Sequence, residues 1–582
     1  MTILIANIGK SDLAIKIDDY YIPVGFDRDE KNVNDTDLDE NEKAIWEKNL
    51  RQEYICSQLC HELEVPYKKN GEFSFRELTK KILEEYEKNE GIWHHQINPD
   101  RIRGVIEKAR KEFNLEKVYI FVTNQPEKII DPKKNEEIDN RGYSTDSIHL
   151  FKIIQKWFKK EIPELDIVER VIPSNISAVD QDRLMNYYYK FFLEEITSSQ
   201  EVLISIKGGT PQMQNALRMQ ALASSAMKQL FIEPKLSVKC LLAGKPSECQ
   251  LTSYWRYMRT QKYQDVKNIL ESRWDFDGAL QILDKWVNTL ESLKRSGIPD
   301  LEKSKIGVEL VIKSLELGIS YLNLDNRGAR NIINSTEGLA LSKEFWKEYN
   351  SLLNIYTQCR IYWKLNQVAN FLSRMASICE ETLHKIIINL GGIKYFNEKK
   401  YPNSWYLDKS KVEPKLWKYF AEREEEDNAN KFKNWDFQKS PYLLSNRFSK
   451  RNFVEALVIF RDKMKEIESW ERIIDSLEKL DYWVEQRNTL IHSGVGVSKE
   501  SMLEFINHER EYDKDIVACD PNKILTELTI ILAELTIISN QNNKLLNRSE
   551  NPFVGFEPTT PYYIYSEIKD WVIAKLIADG LE

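Results

Sequence analysis

The sequence lacks the features that mark secreted, metal-binding and membrane-spanning proteins. Its cysteines number seven, an odd count, and they are scattered along the chain. Cys56 and Cys60 lie one helical turn apart beside His61, but no second Cys/His pair completes a zinc site. No basic segment followed by a long apolar stretch marks a signal peptide, and the most apolar window, 524–538, contains two glutamates. We therefore expect reduced thiols, no bound metal and a cytoplasmic protein without a membrane span.

The sequence also has no excess of positive charge. Lys and Arg total 83 against 91 Asp and Glu, which gives a net charge of −8. Proteins that coat long stretches of nucleic acid are usually basic, so we expect at most a compact site that contacts a few nucleotides. Neither a Walker A lysine pattern nor a dinucleotide-binding glycine fingerprint is present, so ATP and NAD are not expected ligands.

Short apolar runs in the first 250 residues predict four buried strands. These runs are 3–9, 118–122, 202–206 and 230–232. Helical patterns separate them, for example at 148–158 and 181–196. Strands that alternate with helices predict an α/β, Rossmann-like domain with a mainly parallel sheet over residues 1–250. Within it, residues 28–110 are interpreted as a charged, mostly helical insertion after the first strand.

Past about residue 255 the strand signal nearly vanishes. Residues 255–345 predict an all-α linker domain in which one helix carries Trp274, Leu280, Leu283 and Trp286. Residues 350–545 predict a second all-α domain. The last segment, 546–582, contains three prolines and predicts an extended C-terminal arm followed by a short helix from about Ser566.

Polar loops follow three of the predicted strands. In an open α/β sheet, ligands bind beyond the carboxyl ends of the strands, so we expect these loops to form a ligand site. The loop residues are Asn7, Gly9, Lys10, Ser11 and Asp12; Thr123, Asn124 and Gln125; and Lys207, Gly208, Gly209, Thr210, Pro211, Gln212 and Met213.

The third loop is the most informative. Gly208 and Gly209 allow the backbone to approach a ligand closely, Thr210 can cap the next helix and Pro211 fits the first turn of that helix. Free N–H groups at the helix start, together with the charge of Lys207, favour an anionic ligand. An ordinary strand–turn–helix junction with good capping residues explains the same spacing equally well.

Residues 470–492 predict one amphipathic helix whose apolar stripe is interrupted by Arg487 and Asn488 and whose C-cap is Gly494. Polar groups on a buried face need partners and often mark a site. A histidine at a helix C-terminus, where its cation is favoured, is the alternative explanation for His492. Five residues along an ideal helix rotate by ~500°, so the side chains of Arg487 and His492 point ~140° apart. They can meet one phosphate where the helix ends, or across a two-fold axis.

These motifs resemble those of the CARF–HEPN ribonucleases of type III CRISPR systems, the Csm6/Csx1-like family. The loop 207–213 looks like the ligand loop of CARF domains, which bind cyclic oligoadenylates. The segment 487–492 looks like the HEPN signature, an Arg and a His separated by four to six residues, often with Asn after the Arg. Residues 374–383 look like the first HEPN helix, and residues 274–280 look like the linker of the same group.

The resemblance implies a homodimeric endoribonuclease that cuts single-stranded RNA in antiviral defence, needs no metal or other cofactor, and is activated by cyclic tetra- or hexa-adenylate. Arg487 would hold the phosphate, His492 would transfer a proton and Asn488 would orient either group. The products would carry a 2′,3′-cyclic phosphate and a 5′-OH. Two alternatives are a CARF domain that cleaves its own ligand through Ser11, Lys207 or Thr210, and a non-catalytic sensor that binds a partner protein.

The segment 394–451 is basic and rich in aromatic residues. Cations interleaved with rings predict a guide for single-stranded RNA through charge and stacking, and a solvated surface loop is the alternative. The residues concerned are Lys431, Lys433, Trp435, Phe437, Lys439, Tyr442, Arg447, Lys450 and Arg451.

Overall fold

The chain folds into two compact units. The first comprises Met1–Gln261 and Lys285–Lys305, and the second comprises Lys262–Asp284 and Ile306–Glu582. The computed structural model describes residues 2–25, 38–69, 71–130, 135–197, 200–224, 228–235, 237–336, 350–397, 404–408, 410–427, 441–461, 467–492, 497–541 and 562–581.

A six-stranded sheet forms the centre of the first unit. The strands of this unit are, in chain order, β1 (Thr2–Asn7), β2 (Ala14–Ile17), β3 (Tyr20–Pro23), β4 (Ile97–Asn98), β5 (Leu115–Thr123), β6 (Lys128–Ile130), β7 (Glu137–Asp139), β8 (Asp166–Ile172), β9 (Glu201–Ser205), β10 (Lys228–Pro234) and β11 (Cys249–Thr252). The order in the main sheet is β11-β10-β9-β1-β5-β8, and every neighbouring pair is parallel except β10 with β11. The predicted α/β fold with a mainly parallel sheet is confirmed.

Helices cover both faces of this sheet. The helices of the first unit are α1 (Glu40–Trp46), α2 (Lys48–Tyr54), α3 (Phe75–Lys88), α4 (Glu90–Gln96), α5 (Asp100–Phe113), α6 (Ile148–Glu161), α7 (Gln181–Glu195), α8 (Pro211–Ala223) and α9 (Val238–Leu242). Helices α7 and α8 share one apolar core with side chains of β1, β5 and β9, while α5 and α6 also contact the sheet. Burial on two faces explains why the central strands consist of continuous apolar runs.

Five short strands and the two edge strands of the main sheet, β8 and β11, were not predicted. β2, β3 and β4 form a small antiparallel sheet, and β6 pairs with β7. β8 was missed because most of its residues are exposed or half-buried, so its sequence is not an apolar run. The segment interpreted as an insertion contains α1 to α4 and most of α5, and α3 and α5 are amphipathic helices that bury one apolar face.

Three long helices, α10 (Trp255–Arg273), α11 (Phe276–Arg295) and α12 (Glu302–Leu322), each contain residues of both units. The helical prediction for this region is confirmed, but one boundary is corrected. Trp274 does not belong to the helix of Leu283 and Trp286, because it precedes α11 and adopts a left-handed conformation with φ of 55°.

The second unit is mostly helical. Its further helices are α13 (Asn326–Ser335), α14 (Ser351–Lys364), α15 (Val368–Asn389), α16 (Pro414–Asp427), α17 (Arg447–Phe460), α18 (Ile467–His492), α19 (Lys499–Tyr512), α20 (Ile524–Gln541) and α21 (Tyr563–Leu581), and its two short strands are β12 (Tyr406–Leu407) and β13 (Tyr442–Leu443). Helix α18 confirms the single helix predicted for 470–492, whereas Gly494 lies outside the described residues. In the described part of the chain, no helix is long and apolar enough to cross a membrane.

A buried ionic cluster ties three helices of the second unit together. The guanidinium of Arg447 donates to the Asp481 carboxylate and, at 2.7 Å, to the Asp481 carbonyl, and Arg451 donates to the same carboxylate at 2.6 Å. Lys450 pairs with Glu380 of α15 and donates to His384 at 2.8 Å. Because Asp481 belongs to α18, these contacts fix the position of that helix against α17.

The predicted RNA guide is therefore wrong for its C-terminal half. Tyr442, Arg447, Lys450 and Arg451 are each less than a tenth exposed, so they are neither a guide for RNA nor a solvated loop. The sequence pattern showed cations beside rings, but not the distant acids that neutralise those cations. The other members of the set, Lys431, Lys433, Trp435, Phe437 and Lys439, lie outside the described residues.

We expect Asp481→Ala to destabilise the second unit by about 3–5 kcal/mol, because it removes the carboxylate that two buried guanidinium groups share. The measurement is the free energy of unfolding in urea. Asp475→Ala is the matched control on the same helix, since Asp475 is exposed and, among the described residues, pairs with Lys479 alone. That control should change stability by no more than about 0.5 kcal/mol. Equal effects of the two substitutions would contradict the role given to Asp481.

Candidate functional site

The three loops expected to bind a ligand leave one edge of the main sheet. Strands β9, β1 and β5 are adjacent and parallel, with Ala6 beside Ser205 and Asn7 beside Phe121. The carboxyl ends of these strands therefore lie side by side, and so do the loops that follow them. Open α/β sheets bind their ligands at this position.

The glycine-rich loop after β9 packs directly against the end of β1. A Cβ atom on Gly208 would lie 2.6 Å from the Cα of Ile8 and would overlap the carbonyl oxygen of Asn7, so only glycine fits there. A Cβ atom on Gly9 would lie 3.0 Å from the backbone nitrogen of Gly209, whose own φ is +77°. The first and third loops thus meet backbone against backbone.

Helix α8 begins where the third loop ends. Thr210 is the N-cap of α8, because its Oγ1 accepts a hydrogen bond from the N–H of Met213 at 3.2 Å. The same hydroxyl donates to the carbonyl oxygen of Ala178. Pro211 occupies the first turn of the helix. Both roles confirm the sequence prediction for this junction.

Two backbone N–H groups of the third loop are available as hydrogen-bond donors. Among the described residues, no acceptor takes a hydrogen bond from the N–H groups of Gly208 and Gly209. The loop is held from behind, because the side-chain amide of Gln214 donates to the carbonyl oxygen of Lys207 at 3.2 Å. Met213 is fully buried next to Gly209, so its side chain supports the loop from below. These donors and the start of α8 suit an anion.

The loop after β1 is fixed by buried side chains. Asn7 is 2% exposed, and its Oδ1 accepts a hydrogen bond from the hydroxyl of Tyr188 at 2.8 Å. The Nδ2 of Asn7 has no partner among the described residues. Asp12 closes the loop by accepting a hydrogen bond from the N–H of Gly9 at 2.7 Å.

This loop carries one lysine and accepts a hydrogen bond from an arginine of a neighbouring helix. The Nζ of Lys10 lies 5.8 Å from the ring centroid of Phe75, and burial lowers the pKa of Lys10. Arg101 on α5 donates a hydrogen bond to the hydroxyl of Ser11. Burial, reinforced by nearby cations, lowers the pKa of His149 in the first turn of α6 to about 4, so this imidazole is neutral at physiological pH.

The loop after β5 is bound to the turn that precedes α6. Thr123 and Ser147 exchange two hydrogen bonds: the N–H of Thr123 donates to the hydroxyl of Ser147 at 3.0 Å, and the N–H of Ser147 donates to the hydroxyl of Thr123 at 3.2 Å. The N–H of Gln125 donates to the Asp146 carboxylate at 2.6 Å, and the side chain of Gln125 donates to the carbonyl oxygen of Ile176 at 3.0 Å. The loop is therefore fixed by hydrogen bonds to the turn before α6 and to Ile176.

Arg76 on α3 is a residue of this site that the sequence analysis missed. Its Nη1 donates to the Asp146 carboxylate at 2.7 Å, and its Nη2 donates to the Oδ1 of Asn124 at 2.9 Å. Its guanidinium lies 4.3 Å from the centroid of the Tyr143 ring. Arg76 and Asn124 are 48 residues apart, and no motif or periodicity connects them. Only the fold brings them together.

Helix α18 carries the other candidate residues at its C-terminal end. Arg487 is half-buried, and its Nε and Nη2 donate to the Oδ1 of Asn488 at 3.1 and 2.9 Å. In the described ranges no carboxylate pairs with Arg487, whereas Arg472 of the same helix binds Glu534 through two hydrogen bonds. The helix ends at His492, as expected, but the side chain of His492 lies outside the described residues.

No protein-family model matches the sequence, and no curated protein matches it. Among solved structures, the chain is similar to Csm6 from Enterococcus italicus bound to cyclic hexa-2'-fluoro-hexa-dAMP. The two proteins are 13% identical, the match covers 80% of this chain and 94% of that chain, and the TM-score is 0.46.

We expect Gly208→Ala to destabilise the first unit by about 1–3 kcal/mol, because the new methyl group overlaps the backbone of β1. The measurement is thermal unfolding followed by circular dichroism. Gly91→Ala is the matched control, since no atom lies within 4 Å of its Cβ position. That control should keep or slightly raise the melting temperature because alanine favours a helix. A neutral Gly208→Ala variant would contradict the close approach of the two loops.

Proposed function

We propose that this protein is an endoribonuclease that a cyclic oligoadenylate activates, as expected of a type III CRISPR antiviral effector. The observation that carries the proposal is the meeting of three polar loops at the ends of β9, β1 and β5. The activator would bind to these loops, and single-stranded RNA would be cut at the Arg487 end of α18.

The proposed activator matches the donors at the sheet edge. A cyclic oligoadenylate carries one negative charge on each phosphate and no terminal phosphate, so it needs N–H donors and cations arranged along a shallow surface. The N–H groups of Gly208 and Gly209 and the start of α8 supply the donors. Lys10 and Lys207 add positive charge beside them. A cyclic tetra- or hexa-adenylate is therefore the proposed ligand class.

Arg487 supports the nuclease half of the proposal. A guanidinium that no carboxylate neutralises can donate two hydrogen bonds to a phosphate as negative charge develops. In the proposed reaction, the 2′-oxygen of the RNA bonds to the phosphorus and the bond to the 5′-oxygen breaks. His492 would move a proton at these oxygens, and the products would be a 2′,3′-cyclic phosphate and a 5′-OH. RNA supplies the nucleophile, so the proposed reaction needs no metal or other cofactor.

A homodimer completes the proposed nuclease site. Side chains five residues apart on α18 point ~140° away from each other, so Arg487 and His492 of one helix do not easily reach the same phosphate. In a dimer, Arg487 of one chain and His492 of the other can do so. Asn488 accepts two hydrogen bonds from Arg487 and so directs the guanidinium within each copy.

We expect the purified protein to cut single-stranded RNA only when a ring of the correct size is added, and to do so in the presence of a metal chelator. Arg487→Ala and His492→Ala should each lower the rate at least about 100-fold, because each removes a group that acts in the transition state. The measurement is cleavage of labelled RNA with a panel of cyclic oligoadenylates, with the product ends identified by mass spectrometry.

Matched controls separate chemistry from folding. Arg472→Ala removes an arginine from the same helix, and His508→Ala removes an exposed histidine that contacts Tyr512. Both should retain the activity of the wild type. Cleavage that ignores every ring size would refute activation, and full activity of Arg487→Ala would refute the site. Ring opening by protein that lacks His492 would instead favour a nuclease that acts on the ring.

A further inference from the structure

Arg76 on α3 connects that helix to the loop after β5. It donates one hydrogen bond to the Asp146 carboxylate and one to the Oδ1 of Asn124, and we call this pair of contacts the Arg76 clamp. The ring of Tyr143 covers the guanidinium, and the arginine side chain is 17% exposed. Helix α3 also packs on α6 and on the turn at 143–145, so the backbone that carries Arg76 is held close to its partners.

The Arg76 clamp determines which end of the Asn124 amide points away from the protein contact. A guanidinium has only donors, so it accepts no hydrogen bond and must contact the amide oxygen of an asparagine. The Nδ2 group of Asn124 is thereby turned away from Arg76. It makes no hydrogen bond to another described residue. An amide that rotates freely can turn either end toward a ligand, whereas this one keeps its oxygen on Arg76 and directs its two N–H donors away from it.

The neighbouring residue is held by the same clamp. The Asp146 oxygen that binds Arg76 also accepts the N–H of Gln125 at 2.6 Å. The backbone of the loop after β5 and the side chain of Asn124 are thus fixed by one guanidinium. Since β5 is adjacent to β1, this loop lies beside the loop that carries Lys10.

We infer that helix α3 is part of the ligand site, with Arg76 as a positioning residue that presents Asn124 as a hydrogen-bond donor to an acceptor oxygen or nitrogen of the cyclic oligoadenylate. The inference rests on the proposed function and adds to it a recognition element from outside the three sheet-edge loops. Phosphate oxygens and the unprotonated ring nitrogens of adenine are hydrogen-bond acceptors. They can bind the N–H donors of Asn124, but they could not form a hydrogen bond with its amide oxygen.

The test compares Arg76→Ala and Asn124→Asp with the wild-type full-length chain by calorimetric titration with cyclic tetra- and hexa-adenylate. Asn124→Asp keeps the shape of the side chain and turns its contact with Arg76 into an ion pair, but it removes both donors and adds a negative charge. We expect binding at least about tenfold weaker with no fall in melting temperature. A purely structural role for Asn124 would not separate affinity from stability in this way.

Arg76→Ala should weaken binding about tenfold or more and also lower the melting temperature, because Asp146 stays buried without its cation. Lys81→Ala is the control on the same helix, since Lys81 is half-exposed and its one ion pair within the described ranges is with Glu84, at 3.8 Å. It should bind like the wild type. Wild-type affinity, within about twofold, in either Arg76→Ala or Asn124→Asp would overturn the inference. If the wild-type chain binds neither ring, the proposed function fails and this inference fails with it. The titration of the wild-type chain distinguishes that outcome from failure of the inference alone.

Discussion

The site in the first unit depends on the contact between the backbone of Gly208 and the end of β1. Because no side chain separates them, the loop after β9 and the loop after β1 form one continuous surface of backbone atoms. The N–H groups of Gly208 and Gly209 then lie beside the Lys10 loop instead of behind a side chain. The cap of Thr210 on α8 and the buried Met213 hold the loop in this position.

Buried polar contacts position the candidate residues in both units. In the first, Asp146 joins Arg76 to the backbone of Gln125. In the second, Asp481 joins two arginines of α17 to the helix that carries Arg487. Removing one partner of such a contact is costly, because a charge is then left in a place that water does not reach. The Asp146 contact therefore fixes the conformation of the loop after β5, and the Asp481 contact fixes the position of α18 against α17.

The sequence was informative where one local pattern decides the structure. Apolar runs identified β1, β5, β9 and β10, since strands buried on two faces have no other composition. Capping chemistry identified the junction at Thr210, and apolar spacing identified α18. The sheet order brings the three loops together, as expected because ligands of open α/β sheets bind beyond the carboxyl ends of the strands.

The sequence was uninformative where distant residues decide the structure. Arg76 belongs to the site through partners 48 and 70 residues away, and a single sequence does not reveal such pairs. For the same reason the prediction for Arg447, Lys450 and Arg451 was wrong, since each of them hydrogen-bonds to an acidic side chain at least 30 residues away. β8 was missed for a different reason, because an edge strand with exposed polar residues has no apolar run.

Hydrogen exchange of the full-length chain, measured with and without saturating cyclic oligoadenylate, tests the central claim most directly. If the sheet edge binds the ring, the backbone amides of residues 7–12, 123–126 and 207–213 should show the strongest slowing of exchange, with Gly208 and Gly209 prominent among them. Unchanged exchange in all three loops under conditions where the ring binds would contradict the account, because the ring would then occupy another part of the protein.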